Sequence, residues 1–115
     1  MPPRNFRTPP AIPQEPWITP TFQNGWGGHS SAAPAYRKNP LGEVRLTGAV
    51  AGGTLSAAAF FLPAGHRPAV DLAFATSGPS ASSPCRVVAR ATGAVEIQAA
   101  ANGYVALDGV VFAAA

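Results

Sequence analysis

One cysteine, Cys85, in 115 residues excludes an internal disulfide and any multi-cysteine zinc site. Charge is scarce too: only 11% of residues are Asp, Glu, Lys or Arg, 8 basic against 5 acidic, for a formal net charge of +3. The sequence pI of about 9.8 therefore rests on few groups, and the basic residues are scattered singly apart from Arg37-Lys38. A nucleic-acid-binding stripe is not expected from that pattern. No apolar run approaches the roughly 18 residues that cross a bilayer, and Met1-Pro2-Pro3-Arg4 does not begin an apolar export signal. The expectation is a protein without a membrane partner or an export address. Large side chains are the last shortage. Apolar residues reach 47%, but 24 of them are alanine, so the core must be thin and neighbouring subunits are expected to complete it.

What is abundant is proline and glycine, 13 and 12 residues, which argue against long helices. Seven of the prolines fall within residues 1–20. Proline fixes φ and removes amide donors, so residues 1–16 are read as an extended, polyproline-like arm, either a loose tail or a docking strap. As a strap it would insert Phe6, Ile12 and Trp17 into grooves of a partner and pair Arg4 and Arg7 with acidic partner surface. Chain restriction by proline lowers the entropy lost on docking, which favours the strap.

Residues 17–115 form the module. From Glu43 the hydrophobic period becomes two: Val44, Leu46 and Val50 share one face, and Glu43, Arg45 and Thr47 the other. This predicts one strand over 43–50. A turn at Gly52-Gly53 and a strand with Ala58, Phe60 and Leu62 on one face, ending at Pro63, would complete a hairpin. Val70, Leu72 and Phe74 alternate again, 77–84 is loop by composition, and strands follow over 85–91 and 94–98, with Val95 and Ile97 inward. Asn102-Gly103, a hairpin signal, precedes a last strand over 104–112. Six or seven short strands at turn-punctuated intervals predict an all-β, antiparallel, jelly-roll-like sandwich. Alanines on outer strand faces, beside Asp71 and Arg90, suit close contact with another protein surface.

Chemistry-bearing groups are sparse. Cys85 falls in an alternating apolar strand and reads as a buried thiol rather than a nucleophile paired with His29 or His66. The five carboxylates Glu15, Glu43, Asp71, Glu96 and Asp108 show no acidic pair at short spacing, so a hydrolase is not expected. Two histidines 37 positions apart provide no ligand framework, although a histidine from each chain of a trimer could meet on its axis. Gly25-Trp26-Gly27-Gly28 is a turn around an aromatic rather than a phosphate loop. No catalytic residue, metal or cofactor is expected. Trp17, Phe22, Trp26, Tyr36 and Tyr104 could form a sugar-stacking platform, but core or subunit interface is the preferred reading; Trp26, Tyr36, Phe61, Tyr104 and Phe112 are the candidates for module core or trimer interface.

The order of these motifs carries a resemblance. Trp17, Phe22-Gln23-Asn24-Gly25-Trp26, then Tyr36-Arg37-Lys38-Asn39-Pro40-Leu41-Gly42-Glu43-Val44-Arg45-Leu46-Thr47-Gly48, then Gly52-Gly53-Thr54, resembles the C-terminal β-sandwich module of tailed-phage minor tail and tail-fibre proteins. Phe61-Leu62-Pro63-Ala64-Gly65-His66-Arg67-Pro68 is similar to that family's strand-and-turn signature, with His66 where tyrosine is more usual. Gly93-Ala94-Val95-Glu96-Ile97 and Gly103 to Phe112 resemble its last strands, with Tyr104 near where tryptophan is common. The resemblance implies a trimeric, non-enzymatic β-sandwich on the outside of a virion, made in the host bacterial cytoplasm. Its partners would be two further copies, another phage structural protein and host-surface glycan. Because only a short arm precedes the module, a capsid decoration protein or short head fibre is the alternative role.

Overall fold

The computed structural model describes residues 14–79, 84–99 and 102–115. Ten short strands and no helix are formed among the described residues: β1 (Gly27–Gly28), β2 (Ala35–Lys38), β3 (Glu43–Thr47), β4 (Ala49–Ala51), β5 (Ala58–Phe61), β6 (Leu72–Thr76), β7 (Cys85–Ala89), β8 (Ala94–Ala99), β9 (Val105–Ala106) and β10 (Val111–Ala113). They pair antiparallel in three sheets, ordered β10-β3-β2, β1-β4-β9 and β5-β8-β7-β6. The small antiparallel sandwich expected from the strand pattern is thus the fold.

The alternation over β3 buries Val44 and Leu46 and exposes Glu43 and Arg45. It does not continue as a single strand to residue 50. Gly48 takes φ +86°, and the chain kinks there so that β4 leaves β3's sheet and joins β1 and β9. The position demands glycine: a Cβ would run into the backbone of Ala33 and Pro34. Its N–H donates to Asp108 Oδ1 at 3.0 Å, which compensates the hydrogen bond lost from the ladder.

The expected hairpin between residues 43–50 and 58–62 is not formed. β5 crosses to the four-stranded sheet and pairs with β8, because both faces of a sandwich must be supplied from one short chain. A bulge between Ala58 and Phe60 turns both Ala59 and Phe60 inward, against strict alternation. The last predicted strand likewise splits at Leu107–Val110 into β9 and β10, in different sheets. Asn102-Gly103 joins β8 and β9, which do not pair; instead Asn102 Nδ2 donates to Gly53 O and its carbonyl accepts from Gly52 N–H. The hairpin lies at the Thr92-Gly93 break, where β7 and β8 pair and Gly93 has φ +95°. Of the alternating Val70, Leu72 and Phe74, Val70 precedes β6 and is 61% exposed, while Leu72 and Phe74 pack against the core.

The core lies between the layers. Tyr36 of β2 stacks on Phe60 of β5 (6.3 Å, 7°), and Phe74 of β6 meets Phe112 of β10 (6.4 Å). Around these, Val44, Leu46, Val50, Leu62, Val87, Val95, Ile97, Val105, Leu107 and Val110 are sealed from solvent. Trp26, next to Gly25 in the left-handed region, lies flat over Gly53 and donates Nε1–H to Thr54 O at 3.0 Å. No helix of the described residues is long and apolar enough to cross a membrane.

Candidate functional site

Three polar constellations stand on this frame. The first fastens the segment before β1 to the β2 edge. Ile18 exchanges both backbone hydrogen bonds with Tyr36, and Gln14 Nε2 donates to Lys38 O at 2.8 Å. Glu15 Oε2 meets His66 Nε2 at 2.9 Å, and the His66 ring stands edge-on to Tyr36 at 5.6 Å. The bond from His66 is the main cause holding the Glu15 carboxyl below the usual carboxylate range. Burial, with the Glu15 charge behind it, pushes the Tyr36 phenol up.

The second constellation centres on Arg90 at the end of β7. Its two terminal nitrogens reach Asp71 Oδ2 (3.0 Å) and Glu96 Oε1 (2.8 Å), and Asp71 also caps Ala91 N–H. The Ala91 N–H and then Arg90 lower the Asp71 pKa, and the two carboxylates raise that of Arg90. Two of the five carboxylates are therefore committed to one guanidinium. A third, Asp108, is committed to Thr47 Oγ1 (2.8 Å) and Gly48 N–H. All three of these carboxylates thus make bonds that tie parts of the fold together.

The third constellation is the outer face of β10-β3-β2. Arg37 and Arg45 are direct register partners, Val111 lies opposite Arg45 on the other side, and the Arg37 guanidinium sits 4.1 Å over the ring of Trp17. Trp17 remains 42% exposed. A cleft of about 190 Å³ opens between Gln14, Arg37, Glu43 and Arg45, and another of about 420 Å³ between Trp17, Arg45, Thr47 and Asp108.

Of the anchoring residues proposed from sequence, Arg4, Phe6, Arg7 and Ile12 lie outside the described residues, and Trp17 lies on the module against Arg37. Trp26, Tyr36 and Phe112 belong to the buried core, Phe61 is 47% exposed, and Tyr104 is half-buried, edge-on to His29 at 4.9 Å. Cys85 is buried, and burial pushes its thiol up, away from the reactive thiolate. Among the described residues no group of three His, Cys, Asp or Glu side chains is assembled to hold a metal. Sequence reasoning did not find the Arg37–Arg45 pair. Both sit on outward positions of alternating strands, but only the β2–β3 register makes them neighbours.

No protein-family model and no curated protein matches the sequence. Among solved structures, the crystal structure of the receptor binding protein (gp15) of Listeria phage PSA is similar, with a TM-score of 0.74 over 87% of this chain at 20% identity. The chain spans 65% of the length of that protein. At this level of identity the likeness is one of fold: the sandwich built here from ten short strands is also the architecture of a phage receptor binding protein.

Proposed function

We infer that this chain is a non-enzymatic structural module on the outside of a tailed-phage virion, of the minor tail or tail-fibre type, whose task is attachment to the host surface. The observation that carries the reading is the shared fold, TM-score 0.74 over 87% of the chain, with a protein described as receptor binding. The ordered motifs from Trp17 to Phe112 support it independently, since they resemble tail modules at the level of sequence.

The module works as a homotrimer, anchored to a larger virion component by residues 1–16. Half-exposed Phe61 and the outward Ala73 and Ala75 of β6 supply small or flat apolar surface for neighbouring copies. Phe6 and Ile12 supply apolar anchors in the arm, and Arg4 and Arg7 its charge. The host-facing contacts are assigned to the segments Ser77 to Pro84, of which 80–83 lie outside the described residues, and Gly27 to Ala33, both rich in small polar residues suited to adaptable contacts.

Immunogold labelling of particles with antibody against this chain tests the reading. Label at tail ends, with purified protein binding intact host cells, is the expected result. Label over the capsid would overturn attachment in favour of capsid decoration. Particles carrying Phe6→Ser and Ile12→Ser together are expected to lose the label, whichever site it marks.

A further inference from the structure

The outer face of β10-β3-β2 contains an arrangement that the fold does not require. Arg37 and Arg45 stand directly across β2 and β3. Side chains in that relation have Cβ atoms roughly 5 Å apart, and like charges there are destabilising. Three other cations are engaged by the fold: Arg90 holds two carboxylates, Lys38 Nζ donates to Gly65 O and Arg67 Nε to Leu62 O, while Arg86 stands exposed and alone on its strand with no second arginine across from it. Neither Arg37 nor Arg45 belongs to an ion pair among the described residues. The acids that border their clefts each spend one oxygen on a neutral neighbour, Glu43 Oε1 on Asn39 Nδ2 and Asp108 Oδ1 on Thr47 and Gly48, and neither forms an ion pair with Arg37 or Arg45. Trp17, over whose ring the Arg37 guanidinium lies, is still 42% exposed and borders the larger cleft together with Arg45.

We propose that this face is a binding site for an acidic glycan, in which Trp17 receives a sugar ring and Arg37 and Arg45 bridge the phosphate or carboxylate beside it. An indole face accepts the C–H face of a sugar, and guanidinium groups bind either anion through paired N–H donors. The larger cleft, about 420 Å³, falls in the size range of small-ligand sites. Charge decides between occupants. Residues 1–13 carry Arg4 and Arg7 and no acid, and a second copy of the chain brings a net +3. Both are opposed by two facing arginines that no carboxylate bridges, whereas an anionic polymer relieves their repulsion. The site deepens the attachment reading and rests on it only for where the glycan comes from.

The test is direct binding of the full chain to three polymers, poly(glycerol phosphate), polygalacturonate and neutral dextran, with host-cell binding measured in parallel. Expected is binding to one or both acidic polymers, weakening with salt, and none to dextran. Arg45→Gln and Arg37→Gln are each expected to weaken it about tenfold or more, with melting no lower than the parent's, since each substitution removes a like-charge contact. Preference between phosphate and uronate then names the anion. Arg86→Gln, on exposed Arg86 of the other sheet, is the control and should bind as the parent does. Absence of binding to both acidic polymers, or equal losses from Arg86→Gln, would overturn the site. Cell binding that survives in Arg37→Gln and Arg45→Gln overturns the site and leaves attachment standing. Polymer binding through the arginines without any cell binding overturns attachment and leaves the site standing.

Discussion

His66 Nε2 lies 2.9 Å from Glu15 Oε2, a contact spanning 51 residues that ties the segment before β1 to the turn after β5. Both groups are largely covered, with side-chain exposures of 14% and 27%. The bond depresses the Glu15 pKa, so its contribution to docking of the segment is full above the unfolded-state value near 4.5 and is lost as pH falls through the lower folded-state value. Protection of the Ile18 amide, which is bonded to Tyr36 O, should therefore fall as pH drops below about 4.5. In Glu15→Gln the protection is expected to be lower at neutral pH and flat across that window. Identical profiles in hydrogen exchange would show that the pair does not hold the segment.

Gly48 and Gly53 are fixed for different reasons. Alanine at Gly48 would meet backbone at φ +86°, and at Gly53 it would enter the Trp26 indole at an ordinary φ. Each is expected to cost about 1–3 kcal/mol, seen as a lower urea midpoint with unchanged slope. Gly27, in β1, has open space around it, and Gly27→Ala should be neutral or mildly stabilising.

Asp108 holds the kink between β3 and β4 through one oxygen that accepts two donors. Removing it in Asp108→Ala leaves both without a partner, at an expected cost of about 1–3 kcal/mol by chemical denaturation. Asp108→Asn keeps the accepting oxygen and should recover most of that loss. Equal losses in the two variants would assign the effect to charge rather than to the hydrogen bonds.

Phe60 and Phe61 are adjacent but opposite in role. Phe60 is sealed between Tyr36 and the edge-on ring of Phe22, and Phe60→Ala should cost about 3–5 kcal/mol. Phe61→Ala, at a position 47% exposed, should leave the fold intact and weaken the proposed trimer in sedimentation equilibrium. An assembly of unchanged size and strength would remove Phe61 from the subunit contact.

The alternation of Val44, Leu46 and Glu43, Arg45 was readable because a half-buried strand must repeat every two residues. The same signal failed at residue 48, where a glycine inside an apolar run changes sheets rather than breaking the pattern. It failed again at Ala59, where a bulge buries two successive residues. Asn102-Gly103 forms no hairpin for a related reason. The dipeptide permits a tight turn, but β8 already has β5 and β7 on its two edges, and no edge remains for β9.

The chain by itself determined strand-rich architecture and a thin alanine-diluted core, because composition and period act locally along the backbone. Which strands pair was decided by tertiary structure, since short strands with similar periods are interchangeable until two layers must close over Tyr36, Phe60, Phe74 and Phe112. The apposition of Arg37 with Arg45 beside Trp17 belongs to that second class, because it depends on register and on the segment from Gln14 to Ile18 lying against β2.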